Sequence, residues 1–216
     1  MPRPGSGHTQ IASGDALRFP RMGQARRYAS TVATLYMITG LPYAGKSTLA
    51  RSFAARGLSV ASFDAVMDAA GLSPESMSAD DWDSVYSTTY AQLAALLVSG
   101  DAVLDGGTLL RSERDTAREI AASVGAETIL IAAEASAAEV RRRWRANGLD
   151  AKRGQLPRET LEWALEMFEP PSPEERPLTW RLSDGADLLV KALLEGSLRR
   201  TAAGTADSPP PEAASR

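Results

Sequence analysis

The chain has 216 residues, which is enough for one α/β domain with a full core and few for two. Its 24 basic and 27 acidic residues give a net charge of −3, so no overall positive field indicates nucleic acid or an anionic membrane as a partner. There is no cysteine and the one histidine is His8, which excludes disulfides, cysteine nucleophiles, Ser-His-Asp triads and ordinary zinc sites and leaves proton transfer to carboxylates.

The first 32 residues are rich in proline, glycine and arginine and contain a single acid, Asp15, which predicts a disordered lead. Ala25–Ser30 also has the arginine-rich, acid-poor composition of an organelle transit peptide, although it lacks a convincing amphipathic face. A start of translation at Met22 or later is a third alternative. No apolar run approaches the roughly 20 residues that cross a bilayer, so we expect a cytoplasmic protein with no membrane partner.

The first strong motif is G-x-x-x-x-G-K-S, from Gly40 to Ser47, between an apolar run and an amphipathic one. This pattern is typical of a P-loop (Walker A), in which backbone N–H groups and the start of a helix hold phosphates. Lys46 is predicted to reach the β- and γ-phosphates and Ser47 to bind Mg²⁺. The predicted nucleotide contacts are Gly40, Tyr43, Ala44, Gly45, Lys46, Ser47 and Thr48. The alternative is a glycine turn that only joins strand to helix.

Strand and helix patterns then alternate along the chain, which is typical of a parallel sheet covered on both faces. The predicted strands are 35–39, 58–63, 102–105, 127–132 and 178–182. The predicted helices are 46–55, 65–70, 79–98, 112–124, 137–146, 157–168 and 187–195. We therefore expect an α/β, three-layer P-loop NTPase fold, nucleoside-kinase-like, over residues 33–198, followed by a disordered tail over 199–216.

Two carboxylates follow buried strands at the edge where reacting groups gather in an open parallel sheet. Asp105 ends Ala-Val-Leu-Asp, the Walker B pattern, and is predicted to bind Mg²⁺ with Ser47. Asp64 ends the second strand and could accept a hydroxyl proton during phosphoryl transfer. The alternatives are that Asp105 only begins the glycine turn after it, and that Asp64 only caps the next helix.

With these motifs, the chain resembles the small P-loop kinases grouped around polynucleotide kinase, zeta toxin and chloramphenicol phosphotransferase, often labelled AAA-family ATP-binding proteins. The resemblance covers about residues 34–190 and rests on these segments: Gly40–Thr48, Ser62–Asp64, Val103–Thr108, Glu139–Asn147 and Met167–Glu175. It implies ATP and Mg²⁺ as cofactors and Asp64 as the base. It also implies a lid over the triphosphate that contains the arginine-rich helix.

Within that helix, Arg141 and Arg145 are neighbours at i and i+4 and are the preferred candidates to stabilise charge on the transferred group. The alternative is a solvated basic face. Polynucleotide-directed members commonly have an arginine three residues after the base, where this chain has Met67. We therefore expect a small hydroxyl-bearing acceptor, such as an antibiotic, sugar or nucleoside, held by Asp64 and Arg111. Tyr43 is a candidate to shape the acceptor side.

Two other functions are open. A switch GTPase or regulatory nucleotide-binding module is suggested by Asn147–Asp150 and Asp68–Gly71, which are poor copies of the Asn-Lys-x-Asp and Asp-x-x-Gly motifs. The second alternative function is a kinase that acts on a polynucleotide or on a protein and is recruited to it through the lead or the tail. Neither the acceptor nor the oligomeric state follows from the sequence.

Overall fold

Five parallel strands form the centre of the fold in the order β2-β3-β1-β4-β5. The computed structural model describes residues 32–74, 76–150 and 155–204. The strands are β1 (Thr34–Thr39), β2 (Ser59–Ser62), β3 (Ala102–Asp105), β4 (Glu127–Ala133) and β5 (Leu178–Trp180). The helices are α1 (Lys46–Ala54), α2 (Phe63–Ala70), α3 (Ala79–Ser99), α4 (Arg111–Ser123), α5 (Ala137–Asp150), α6 (Arg158–Met167) and α7 (Ala186–Gly204).

Helices cover both faces of the sheet, so the predicted three-layer α/β fold is confirmed. Alternate residues of β1 point to opposite faces, and all of them are buried because the strand is central. Leu35 and Met37 pack against α2, α3 and α4. Tyr36 and Ile38 pack against α1 and α7. A third, smaller apolar cluster joins the P-loop to α5 and α6.

Several element boundaries differ from the prediction. β2 ends at Ser62, and Phe63 already belongs to α2, because the Ser62 hydroxyl accepts the Ala65 N–H and starts the helix. Pro157 precedes α6 as its N-cap instead of being its first residue. β5 stops at Trp180.

Two helices extend beyond their predicted limits: α5 continues to Asp150 and α7 continues to Gly204. The predicted lead, with its transit-peptide and start-site alternatives, lies outside the described residues except for Val32, and so does the tail beyond Gly204. Among the described residues, no helix is both long and apolar enough to cross a membrane.

The loop after β3 lies directly against α2. Gly107 has a φ of 58°, and a Cβ built on it would overlap the ring of Phe63. Phe63 in turn packs edge-on against Tyr86 of α3, at 4.8 Å between ring centroids. The small size of glycine therefore allows the loop that follows Asp105 to approach the helix that carries Asp64.

We expect Gly107→Ala to lower the free energy of unfolding by about 2–4 kcal/mol, since it adds a steric clash to the strain of a positive φ. Gly71→Ala is a matched control, because Gly71 has a φ of 66° and a Cβ added there would meet no atom within 4 Å. The control should cost about 1 kcal/mol. Urea denaturation measures both values, and equal losses would contradict the close contact with Phe63.

Candidate functional site

The P-loop connects β1 to α1 through backbone conformations that need small residues. Gly40 has a φ of 144°, and a Cβ there would overlap the carbonyl of Ala133 at the end of β4. Gly45 has a φ of 109° and immediately precedes α1. Both motif glycines are therefore required by the path of the backbone, and the N-terminus of α1 is directed at the loop.

Lys46 lies across the loop that precedes it. Its ammonium group donates hydrogen bonds to the carbonyls of Gly40, at 2.8 Å, and Leu41, at 3.1 Å. The positive charge thus lies over the same backbone that would surround a phosphate. On the next turn, the Thr48 hydroxyl accepts a hydrogen bond from Arg51 at 3.2 Å, whereas the backbone N–H of Thr48 bonds to the Gly45 carbonyl.

Asp105 and Ser47 meet at the centre of the sheet edge. Asp105 lies opposite Ile38 of β1 and Ser62 of β2, so the P-loop and α2 both begin beside it. Its carboxylate accepts a hydrogen bond from the Ser47 hydroxyl. The two predicted metal ligands are therefore adjacent, and both provide the oxygen atoms that Mg²⁺ prefers.

Burial raises the pKa of Asp105 above its ordinary value, and the nearby negative charge of Asp64 raises it further. The positive charge of Lys46 and the hydrogen bond from Ser47 oppose that rise. Burial therefore outweighs the contacts that favour the charged carboxylate. A cation bound beside it would favour the charged form.

Asp64 occupies the first turn of α2, two residues beyond the end of β2, and is exposed. Ser62 is the residue that caps this helix, so the capping role considered for Asp64 is not the one observed. The electrostatic effect of Asp64 on Asp105 indicates that the two carboxylates lie on the same side of the sheet edge. Asp64 is therefore an exposed acid next to the predicted phosphate and metal site.

Two arginines of α5 contact different parts of the structure, one α6 and the other the P-loop. Arg141 forms an ion pair with Glu162 of α6, at 2.5 Å between its guanidinium nitrogen and the carboxylate oxygen. Arg145 is exposed. Arg143 instead donates to the backbone carbonyls of Tyr43, at 2.9 Å, and Ala44, at 3.3 Å. The arginine that contacts the P-loop is thus one that the sequence analysis did not select.

The sequence of α5 narrows the choice of arginine but does not make it. Val140 and Trp144 are the apolar residues near the middle of α5, and they identify its inward face. Arg143 follows Val140 by three residues and Arg141 precedes Trp144 by three residues, so both lie at the edges of that face, whereas Arg145 lies further from it. Apolar periodicity would therefore have disfavoured Arg145 but would not have chosen between Arg141 and Arg143.

Tyr43 and Ala44 are buried within the P-loop. The ring of Tyr43 belongs to the apolar cluster that contains Val140 of α5 and Leu161 of α6. Its side chain therefore lies against these two helices. Its predicted effect on the acceptor stays a prediction.

Arg111 begins α4 and is half exposed. Its guanidinium contacts Ser172 at 3.1 Å and Asp115 at 3.4 Å, and its backbone N–H donates to Glu169. Its predicted contact with an acceptor is untested. The segment after α6, which lies within the Met167–Glu175 stretch of the family resemblance, thus contacts the start of α4.

A fully buried residue that sequence reasoning missed, Arg114, organises this region. It forms two hydrogen bonds of 2.9 Å to the carboxylate of Glu175 and donates to the carbonyls of Thr108 and Glu169. Thr108 also joins the end of β1, because its hydroxyl donates to the Ile38 carbonyl at 2.8 Å. Arg114 therefore holds the loop that follows Asp105 in place.

A cavity of about 620 Å³ lies on the other side of the P-loop, over the ends of β4 and β5. Gly40 and Leu41 form one wall, and Glu139 and Arg143 of α5 form another. The remaining lining comes largely from the end of β4 and from the segments before and after β5: Ala133, Glu134, Phe168, Pro170, Thr179, Arg181 and Leu182. Its volume suits a nucleotide or a ligand of similar size.

The two segments that suggested a guanine-nucleotide switch are both helical. Asn147–Asp150 forms the last turn of α5, and Asp68–Gly71 forms the end of α2 with Gly71 as its left-handed C-cap. Neither segment is a loop after a strand, where a base or a γ-phosphate could be contacted. These two segments therefore do not support the interpretation of the protein as a guanine-nucleotide switch.

Comparison with known proteins was made at the level of sequence and of fold. A family model described as AAA domain matches residues 35–171, which is more than half of the chain. No curated protein matches the sequence significantly. The matched region includes the P-loop, Asp64, Asp105 and the arginines of α5.

Solved structures share the fold at low sequence identity. A gluconokinase from Sinorhizobium meliloti is 22% identical, with a TM-score of 0.53 over 82% of this chain and 98% of that one. The Mycobacterium tuberculosis APS kinase in complex with AMPPNP and APS is 20% identical, with a TM-score of 0.55 over 79% and 99%.

A chain of an RNA repair complex is 18% identical, with a TM-score of 0.52 over 68% of this chain and 49% of that one. These similarities concern the fold and leave the predicted subgroup open. The P-loop kinase-like fold and the extent of the family match lead to one conclusion: this chain belongs to the AAA domain family.

Proposed function

We propose that this protein is an ATP-dependent kinase that transfers the γ-phosphoryl group to a hydroxyl of a small-molecule acceptor. The observation that carries the proposal is the meeting of three groups at one sheet edge: the P-loop with Lys46, the Ser47–Asp105 pair and the exposed Asp64. The kinase-like fold supports it. A phosphate-binding loop alone would serve many functions, whereas a carboxylate beside it favours transfer to a hydroxyl.

The order of the strands suggests where donor and acceptor bind. The P-loop follows the central strand β1, Asp64 lies beyond β2 at one side, and the cavity lies over β4 and β5 at the other. In the proposed complex the nucleoside part of ATP occupies the cavity, the triphosphate lies along the P-loop, and the acceptor approaches from the side of Asp64. Donor and acceptor then face each other across the γ-phosphate.

The proposed step is a single displacement. The acceptor's hydroxyl oxygen attacks the γ-phosphorus, and a bond forms between them while the bond from that phosphorus to the β-phosphate's bridging oxygen breaks. The hydroxyl proton passes to the Asp64 carboxylate, and ADP leaves. Lys46 and the N-terminus of α1 stabilise the negative charge on the phosphates, and Arg143 approaches it from the lid.

Magnesium fits the residues at the centre of the site. Ser47 and Asp105 would hold it, since Mg²⁺ in such sites takes few protein oxygens and completes its shell with phosphate and water. When bound it neutralises phosphate charge. The raised pKa of Asp105 is consistent with a carboxylate that is charged most favourably beside a cation.

The charge of the acceptor side favours a neutral or cationic compound. Residues 57–110, which include β2, α2, α3 and β3, contain acidic residues but no lysine, arginine or histidine. Polynucleotide substrates draw on cationic side chains, so a nucleic-acid end is the less favoured acceptor. A neutral polyol or an amine-bearing hydroxyl compound suits this surface better.

Incubation of the full-length protein with γ-labelled ATP, Mg²⁺ and a library of metabolites and antibiotics tests the proposal. Label should appear on a small neutral or cationic hydroxyl compound and should be absent without Mg²⁺. Calorimetry should show tighter binding of ATP than of GTP. A preference for GTP, or labelling of polynucleotide alone, would overturn the proposal.

Arginine variants of α5 test the lid. We expect Arg143→Ala to lower kcat by about 10²- to 10³-fold, because a donor that faces the transferred charge is lost. Arg143→Lys should restore part of that loss. Arg141→Ala and Arg145→Ala are the comparison, and a larger loss in either than in Arg143→Ala would support the original choice from the sequence.

A further inference from the structure

Tyr43 has an unusual backbone conformation for its residue type. Its φ of 62° lies in the left-handed region, where a side chain with a Cβ is strained and glycine is favoured. Together with Arg176, it is one of two non-glycine residues with a positive φ among the described residues. A conformation of this kind persists where the surrounding contacts favour it.

Those contacts belong to the lid, defined here as α5, α6 and the residues 155–157 that precede α6. The Tyr43 ring is 8% exposed and packs with Val140 of α5 and Leu161 of α6. Its hydroxyl accepts a hydrogen bond from the Leu156 N–H at 3.2 Å. The Leu156 carbonyl accepts another from the Trp144 indole at 2.7 Å, so the tyrosine reaches the segment that leads into α6.

The backbone of the same residue holds the lid arginine. The Tyr43 carbonyl accepts a hydrogen bond from Arg143 at 2.9 Å, and Glu139 holds the other side of that guanidinium at 2.5 Å. Tyr43 thus lies in the middle of the phosphate-binding loop and contacts both the inward face of α5 and the start of α6. A change in the loop on phosphate binding would reach both helices through this residue.

We propose that Tyr43 is a positioning residue that couples occupancy of the P-loop to closure of the lid and so sets Arg143 over the bound phosphates. The inference rests on the proposed kinase function for its catalytic consequence, although the coupling itself requires only nucleotide binding. The left-handed backbone directs the ring into the lid. The hydroxyl then fixes the segment before α6.

Hydrogen exchange of the Leu156 amide tests the coupling without reference to catalysis. In the full-length protein, NMR should show slower exchange at Leu156 when Mg²⁺ and the non-hydrolysable analogue AMPPNP are added. Tyr43→Phe removes only the hydroxyl and should speed exchange of this amide by about 2- to 12-fold, the range expected for one lost hydrogen bond. It should also reduce the slowing that AMPPNP produces.

Kinetics separate positioning from simple stability. Tyr43→Phe should lower kcat by a few-fold and leave KM for ATP nearly unchanged. Tyr43→Gly relieves the strained φ but also removes the buried ring, so circular dichroism checks its fold, and it should lower kcat further. Tyr90→Phe is the matched control, because it also removes a half-buried tyrosine hydroxyl but lies among the residues packed on the opposite face of the sheet.

The outcomes for the two proposals differ. Equal Leu156 exchange in wild type and Tyr43→Phe would overturn the coupling, whatever the enzyme's activity. Slowing by AMPPNP that persists in full in Tyr43→Gly would also overturn it. A protein that binds no ATP would overturn the proposed function, and exchange at Leu156 without nucleotide would still report whether the tyrosine holds the lid.

Discussion

Asp64→Asn is expected to lower the rate of phosphoryl transfer by about 10²- to 10⁴-fold, the usual contribution of a general base. The substitution keeps the size of the side chain and removes its ability to accept a proton as a carboxylate. Because Asp64 lies outside the P-loop, calorimetry should find nearly unchanged ATP affinity. Lys46→Ala should abolish transfer and, unlike Asp64→Asn, should also weaken ATP binding, since this ammonium lies over the loop itself.

Asp68→Asn provides the matched control for this prediction. Asp68 is in the same helix as Asp64, one turn further on, and is also exposed, so its substitution makes the same change in charge away from the sheet edge. Its transfer rate should stay close to that of the wild type. If Asp64→Asn transferred phosphate as fast as this control, the assignment of Asp64 as the base would be wrong.

Removal of one partner of the Arg114–Glu175 pair is expected to lower the free energy of unfolding by about 3–5 kcal/mol, because a buried charge is left without its counter-ion. The side chains are 0% and 1% exposed, and the pair joins α4 to the segment before β5. At about 2–4 °C per kcal/mol, the melting temperature of Glu175→Gln should fall by roughly 6–20 °C. Calorimetry or circular dichroism measures the change.

The same pair gives the protein a defined response to acid. Hydrogen bonds from Arg114 lower the pKa of Glu175 from 4.5 to about 2, with Arg118 and the Ser172 N–H contributing and burial opposing. Because the pKa is lower in the folded state, this group stabilises the fold above about pH 4.5, and the stabilisation is lost as the pH falls towards 2. Glu175→Gln should lack this part of the pH dependence.

Two further variants distinguish the effect of the buried ion pair from that of an exposed one. Glu195→Gln changes an exposed pair with Lys191 and should cost less than about 1 kcal/mol. The double variant Arg114→Met/Glu175→Leu removes both charges and should recover part of the stability lost in either single variant. Single variants at Arg114 and Glu175 that matched the exposed control would contradict the stabilising role of the buried pair.

Local patterns were sufficient to predict the sheet and the P-loop. The alternation of apolar strands with amphipathic helices identified all five strands, and the motif from Gly40 to Ser47 located the loop. The rule that parallel strands end at one edge also predicted that Asp105 and Ser47 would meet. These features depend on residues close in sequence, or on a regularity shared by parallel sheets.

The local boundary at Asp64 was less predictable. The sequence analysis considered only Asp64 as a cap, although serine is as good an N-cap as aspartate. The structure has Ser62 as the cap, and this leaves the Asp64 carboxylate exposed. Which of these two residues caps the helix depends on where β2 ends, and that end is set by the pairing of β2 with its neighbouring strand.

By itself, then, the sequence determined the α/β class, the phosphate loop and the carboxylates near it, because periodicity and turn chemistry act over a few residues. Only the tertiary structure decided which arginine of α5 contacts the loop, that Tyr43 lies under the lid, and that Arg114 pairs with Glu175 across 61 residues. Each of these depends on how one packed helix is rotated against another. That rotation is set by the combined packing of distant segments, which no short stretch of sequence contains.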